Sequence, residues 1–226
     1  MVQYLNGVVE TTFGTRPGTG QLGLSALSES LVLDNRYEDV RLPSDGRIPS
    51  EIVKGGRLVR GDIMQYVRLD EALFGWLLKS LFGKAPATVE EQVATRWAHT
   101  FTLQDDPTVV WPSLSVDVGL MNTTEKRYVG CLADSLDLDV ADVGPLGATW
   151  GILGRPYTAA AFGSAVARGT QDFLTHSHIT TIELDDVALL PGLRLLSLSI
   201  NNNMEEAFEH SSRNIARGEF GELEIT

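Results

Sequence analysis

The chain has 226 residues, an apolar fraction of 43% that can bury a sizeable core, and thirty acids against eighteen bases, for a formal charge of -12. Wherever the acids concentrate, such a surface repels phosphate, so simple nucleic-acid binding is disfavoured. A lone cysteine, Cys131, excludes a disulfide framework or a Cys-based zinc site, and fits a reducing compartment. No apolar run approaches the roughly 18 residues of a membrane span. "MVQYLNGVVE" has neither the basic nor the apolar region of a signal peptide, so synthesis in a cytoplasm with no membrane partner is expected.

Taken in chain order, "GTRPGTGQLG" is glycine-rich but lacks the Gly-Lys-Ser/Thr of a P-loop and a following helix, and reads as a flexible N-terminal arm. "SLVLDNRYED" reads as a short strand with alternating apolar positions, then a polar turn. From Asp34 to Gly56 the mixture of Pro, Gly, Ser and both signs of charge predicts a long projecting loop or extended hairpin. Its bland reading is a disordered surface loop. Its sharper reading is a contact arm that orders when another subunit docks, with Arg36, Arg41, Asp45, Arg47, Glu51 and Lys54 supplying mixed charge. "GGRLVRGDIMQYVRL" follows as a long strand, with Val59, Gly61, Ile63, Val67 and Leu69 on one parity and Arg60, Asp62 and Tyr66 on the other. Gly61 predicts a bulge or bend there.

"LDEALFGWLLKSLFG" departs from period two: Leu69, Leu73, Phe74, Trp76, Leu77, Leu78 and Leu81 fall at three-and-four spacing. This predicts an amphipathic helix of about three turns lying across a sheet, with Asp70 capping its start and Gly83 ending it. "WAHTFTL" reads as a strand. In "PSLSVDVGL", Leu114, Val116, Val118 and Leu120 share one face while Ser115 and Asp117 take the other; after "MNTTEK", "RYVGCLADSLDLDV" completes a hairpin with Leu136, Leu138 and Val140 inward. "ATWGILG" extends that sheet. "GRPYTAAAFGSAVARGTQDFLTHSH", rich in small residues, has the composition of a linker. "ITTIELDD", "LRLLSLSI" and "FGELEI" are weaker strands. The fold class is α+β, mainly antiparallel β, with one flanking amphipathic helix.

No constellation of catalytic type emerges. Asp137 and Asp139 share a strand face near Asp134 and Asp142, but "DLDVAD" lacks the offsets of a calcium loop. His176 and His178 fall on one side of any strand through them, yet no third ligand accompanies them; His99 and His210 stand apart. No nucleophile-elbow pattern is present. Trp76, Trp97, Trp111 and Trp150 form either a carbohydrate-stacking platform or, the ordinary case, core; Trp111, before Pro112 and outside a clear period, retains interest as an interface residue. Cofactors, metal sites and catalytic residues are all expected to be absent, and the protein is not expected to be an enzyme.

The chain also repeats itself. Ser30, Leu31, Leu33, Asn35 and Glu38 of "SLVLDNRYED" match Ser197, Leu198, Ile200, Asn202 and Glu205 of "SLSINNNMEE", and "GGRLVRGDI" parallels "RGEFGELEI". So long a period suggests duplicated domains. The expected organisation is a first unit over 1–154, a linker or loop over 155–177, and a second, partial repeat over 178–226. Either the native polypeptide continues beyond Thr226, or the half-repeat completes a sheet of its own or of a neighbour.

Together, "ETTFGT", "SLVLDNRYEDVRLPSDGR", "VKGGRLVRGDIMQYVRLDEALFGWLLKSLFG", "PSLSVDVGL", "RYVGCLADSLDLDV" and "SLSINNNMEEAFEHSSRNIARGEFGELEIT" resemble the tail tube (major tail) proteins of long-tailed double-stranded-DNA bacteriophages, over roughly Glu10 to Thr226. The resemblance implies a β-sandwich or barrel-like tail-tube domain whose inner sheets join into a β-barrel ring of six chains, or of three chains with two domains each. It further implies stacking of rings into a tube that conducts DNA during ejection without specific binding. Partners would be further copies of the chain and other tail proteins: tape measure, terminator and distal tail. A strand committed to a core on one face and a water-filled channel on the other should alternate with charge on its second face. Arg60, Asp62, Asp137 and Asp139 are the candidate lumen-facing residues. The alternatives are another tail or connector component of the same fold, such as a distal-tail or completion protein, and a β-sandwich binding module.

Overall fold

The computed structural model describes residues 2–40, 51–84, 88–93, 96–104, 110–120, 124–140, 144–161, 163–175, 177, 183–184, 187–188, 196–208, 215–219 and 223–226. Strands β1 (Val2–Val9), β2 (Gln21–Leu24), β3 (Ala26–Glu29), β4 (Val32–Val40) and β5 (Glu51–Tyr66) precede helix α1 (Ala72–Phe82). Then come β6 (Thr88–Val93), β7 (Arg96–Thr100), β8 (Leu114–Leu120), β9 (Thr124–Val140), β10 (Gly147–Ala160), β11 (Glu183–Leu184) and β12 (Val187–Ala188). The chain closes with β13 (Leu196–Asn201), β14 (Glu205–Phe208), β15 (Ile215–Glu219) and β16 (Glu224–Ile225).

Ten of these strands form one antiparallel sheet in the order β2-β1-β8-β9-β10-β5-β3, with β4 also on β5, β13 also on β9, and β16 on β13. The β8–β9 hairpin and the addition of β10 follow the sequence expectation. The sheet is open: its two ends do not pair, so no barrel closes among the described residues. Pairs β6–β7, β11–β12 and β14–β15 stand outside it. Of the two readings of the stretch from Asp34, a projecting loop or an extended hairpin, the second holds for the described residues, with β4 and β5 laddered out to Val40 opposite Glu51. β10 continues to Ala160, into the stretch expected as a linker, and β13 and β16 are strands of the main sheet.

β5 runs unbroken through Gly61, with no register shift against β10 there, and the glycine serves a close approach of backbone instead. Its φ of 151° is one that L side chains avoid, and a Cβ there would strike the Ser30 carbonyl. Here β3 gives way to β4 on the opposite strand, with Ser30 N–H donating to Asp62 O at 2.9 Å.

Helix α1 lays Leu73, Leu77 and Leu81 onto the sheet, each at most 1% exposed. Burial of this kind contributes about 1.5–3 kcal/mol per side chain. Gly83 ends the helix in the left-handed conformation, φ 73°, with the Trp111 indole packed where a side chain would otherwise stand. The start differs from expectation. Glu71, not Asp70, holds the N-cap position, and its side chain makes no cap bond. Asp70 instead accepts hydrogen bonds from Thr170 N–H at 2.6 Å and Gln171 N–H at 2.9 Å, fastening a distant segment. Those backbone bonds, Gln171 foremost, hold its carboxyl below the usual range.

One core cluster joins Leu5, Leu24, Leu114, Val116 and Val118 to Val59, Ile63, Leu136 and Trp150 from the other half of the sheet, with α1 beside them. A second, smaller cluster on the opposite face collects Leu58, Leu132, Leu153, Met204 and Trp111, with Phe13 against it. Trp111 is therefore core rather than an interface residue, at 7% exposure.

Candidate functional site

Registers across β13, β9, β10 and β5 place two different surfaces back to back. Leu136 pairs with Trp150 and Ile200, and Trp150 with Ile63; these side chains face the core. The alternate positions form a polar face: Asp137 opposite Thr149 and Ser199, Asp139 opposite Gly147 and Ser197, Ser135 opposite Gly151 and Asn201, and Gly151 opposite Asp62. Asp137 accepts from Ser199 Oγ at 2.5 Å and Asp139 from Ser197 Oγ at 2.8 Å. Asp62 and Asp139 are exposed and Asp137 is half-buried. Register brings all four candidate lumen residues, Arg60 included, onto this one face, because strand alternation fixes parity.

Of the six predicted contact residues, Arg36 lies on β4 and Lys54 on β5, both exposed and on strands rather than in a loop. Glu51 opens β5; nothing is described of its side chain. Arg41, Asp45 and Arg47 lie outside the described residues, as do His176, His178 and His210. His99 is exposed. Among the described residues no three His, Cys, Asp or Glu side chains converge as metal ligands.

Three polar sites escape a reading of spacing alone. Glu206 of β14 accepts hydrogen bonds from Arg36 at 2.9 Å and from Arg60, bridging β4 and β5. Its side chain is 10% exposed, while those of Arg36 and Arg60 are 48% and 50% exposed. The turn leading to it is pinned: Asp134 O accepts from Asn202 N–H at 2.9 Å, and Asp134 Oδ1 accepts from Met204 N–H at 2.8 Å. Burial pushes the Asp134 carboxyl above the usual carboxylate range, against the pull of the Met204 bond.

The second site is Glu10, which accepts from Ser113 Oγ and Ser115 Oγ at 2.6 Å each, from Gly14 N–H at 2.7 Å and from Gly130 N–H at 2.9 Å. The third surrounds Asp117, fully buried despite its outward parity. Arg16 bonds it from Nε at 3.0 Å and from Nη2 at 2.5 Å. Beside it Tyr4 donates to Glu125 at 2.5 Å, and Arg127 bonds the same carboxylate. Burial and the Glu125 bond raise Tyr4 to about 12; although burial opposes it, the Tyr4 and Arg127 bonds hold Glu125 below its usual range.

The segment "GTRPGTGQLG" is thus no free arm. Arg16 and Glu10 fasten it over the outer face of β1, β8 and β9. Residues 163–166 lie over the same face, with Gly163 N–H donating to Tyr4 at 3.0 Å and Asn6 bonding Ser164 O and Val166 N–H.

An open antiparallel sheet with a flanking helix, and with acidic residues on the face turned away from the main core, defines a β-rich structural subunit, and comparison with known proteins supplies the family. The model described as "Phage tail tube protein" matches residues 3–226, and the chain belongs to that family. It is a structural component of the virion tail. Among solved structures, a chain of the cryo-EM structure of the anti-feeding prophage (AFP) baseplate, 6-fold symmetrised, is similar, at 10% identity and a TM-score of 0.35, covering 70% of this chain and 91% of that one. No curated protein matches. No helix among the described residues is long and apolar enough to cross a membrane.

Proposed function

We propose that copies of this chain join edge to edge into a ring, that rings stack into the tail tube, and that the tube conducts DNA during ejection without chemistry or specific binding. The observation that carries the reading is the two-faced sheet. β9, β10, β5 and β13 turn one face to the main core, and on the other they carry Asp62, Asp137 and Asp139 beyond the smaller apolar cluster of Leu58, Leu132 and Leu153; the acidic part of that second face is the wet face. The main sheet also ends on open edges, which need a partner strand or protection. Edge strands β3 and β4 carry the exposed apolar side chains Leu27, Val32, Leu33 and Tyr37, a surface suited to burial against a neighbouring copy.

In a ring, the wet faces would line the bore. Each copy brings a formal charge of -12, and acids facing the bore would repel phosphate so that DNA slides. The ring would hold six chains, or three if the half-repeat over 178–226 belongs to a two-domain polypeptide. Other tail proteins, namely tape measure, terminator and distal tail, would bind the ends and the interior. Negative-stain microscopy of the purified protein over a concentration series tests this: annular rings or long tubes are expected. A strictly monomeric particle at every concentration and ionic strength would overturn it.

A further inference from the structure

The second copy of the echo is joined to the first unit at an irregularity in β9. There Ser135 is opposite Gly151 of β10 and Ala133 is opposite Ile152, so Asp134 is an extra residue, a β-bulge. β13 ends beside that bulge, with Asn201 opposite Ser135. Three segments converge on it. Ala133 N–H donates to Ser80 Oγ of α1 at 3.1 Å, and Asp134 O accepts from Asn202 N–H at 2.9 Å. The Asn202 side chain reaches the helix itself, its Nδ2 donating to Leu81 O at 2.8 Å. A helix leaves its last four carbonyls without intrahelical partners, and here water cannot supply the bond, because Ser80 and Leu81 are wholly buried and Asn202 is 4% exposed. An amide side chain from another segment does so instead.

We propose that Asn202 is a clasp: its backbone ties β13 to the β9 bulge and its side chain ties β13 to the end of α1, so that residues 196–204 fold as one body with the first unit and do not open a second domain. Packing agrees, since Ile200 lies in the main core and Leu198 packs against it. The clasp also positions the acidic face from behind the sheet. β13 carries the Ser197 and Ser199 hydroxyls that donate to Asp139 at 2.8 Å and to Asp137 at 2.5 Å, so the tie that caps α1 also holds those two carboxylates. Asn35, the matching residue of the first copy, is opposite Arg57 in the β4–β5 ladder, so equal residues of the echo carry unequal duties. The clasp does not depend on the tube reading; within that reading it removes the half-repeat as a ground for rings of three chains.

Hydrogen exchange read by mass spectrometry tests it. In the natural chain, exchange over a denaturant series should bring the end of α1 (residues 77–83) and β13 onto one isotherm; two separate isotherms would overturn the proposal. Asn202→Ala leaves Leu81 O without its donor, so both segments should exchange faster by one common factor, roughly ten- to hundredfold. Asn35→Ala should leave both within about threefold of the natural chain. Acceleration of β13 alone, or an equal effect of Asn35→Ala, would show that the half-repeat docks without the clasp. The positioning role has its own signal: the carboxyl carbon resonances of Asp137 and Asp139 should move in Asn202→Ala as they move in Ser197→Ala with Ser199→Ala. Resonances that stay in place would overturn that role. Should Asn202→Ala fail to fold, the isotherms of the natural chain still decide.

Discussion

Replacing Arg16 with alanine removes the side chain that fastens residues 10–20 to the sheet. Asp117 beneath it is wholly buried, held by Arg16 at 2.5 and 3.0 Å, with Gln21 at 3.5 Å and Arg127 at 3.9 Å as remaining company. Breaking a buried ion pair by removing one partner costs about 3–5 kcal/mol, because a charge is left without compensation. Arg127 and Gln21 retain part of the interaction, which sets the expectation at the low end, about 3 kcal/mol. For a chain of this size each kcal/mol moves Tm by about 2–4 °C, so scanning calorimetry should record a fall of about 6–12 °C. Adding Asp117→Asn to Arg16→Ala should recover at least half of that loss, since a buried amide is cheaper to leave under-satisfied than a buried carboxylate. Arg16→Lys should fall between, lacking the planar fork. A loss under about 0.5 kcal/mol for Arg16→Ala, the size of an ordinary surface change, would show that the segment is not held this way.

Gln65 is fully buried between Ala26 and Ala148 in register, and its amide has no hydrogen-bond partner among the described residues. Gln65→Leu should stabilise by about 1–3 kcal/mol in a denaturant titration, and a destabilised variant would reveal a partner for the amide. Tyr4 gives a pH signature: its folded value is raised to about 12 from an unfolded value of about 10, so its contribution is full below pH 10 and lost as pH rises toward 12. Tyr4→Phe should therefore remove part of the alkaline loss of stability; alkaline limbs of equal slope in the two proteins would refute the assignment. On the acid side the lowered Glu125 contributes in full above the usual carboxylate range and loses that contribution as pH falls through its depressed folded value, so Glu125→Gln should flatten the acid limb below that range.

Hydrophobic period carried most of the fold. The β8–β9–β10 sheet and the helix stop at Gly83 are local consequences of alternation or of one glycine. Parity likewise put Arg60, Asp62, Asp137 and Asp139 on one face, because strand geometry leaves no other choice once the core residues point inward. What spacing could not supply is which outward-facing residues stay wet. Ser115 and Asp117 have the outward parity of Asp137, yet both are wholly buried, because segments from opposite ends of the chain cross over them. The one local signal was the company kept: a glycine-rich stretch containing a single arginine, and a carboxylate in the middle of an otherwise apolar strand. Asp70 shows the same limit, since a residue placed to cap α1 found better donors at Thr170 and Gln171, a hundred positions away.

The internal echo is the clearest case of one pattern reaching two structures. Both copies begin as strands, with Val32 to Asn35 on β5 and Ser197 to Asn201 on β9. They part at the seventh position. There the first copy has Arg36, which sits at the register shift between Asn35 and Tyr37 and lets β4 continue as a strand. The second copy has Asn203 with φ 47°, a left-handed conformation that asparagine tolerates and arginine resists, and the chain leaves the sheet. Asn201 Oδ1 accepts Asn203 N–H at 2.9 Å and steadies that exit. Three residues on, Glu206 returns to bond Arg36, so the two copies meet through the very position at which they diverged. If that is the cause, Asn203→Gly, which keeps the left-handed backbone, should leave stability within about 0.5 kcal/mol of the natural chain in a denaturant titration, whereas a β-branched Asn203→Val should lose about 1–3 kcal/mol. Equal stabilities of the two variants would show that the left-handed turn does not decide where the second copy leaves the sheet.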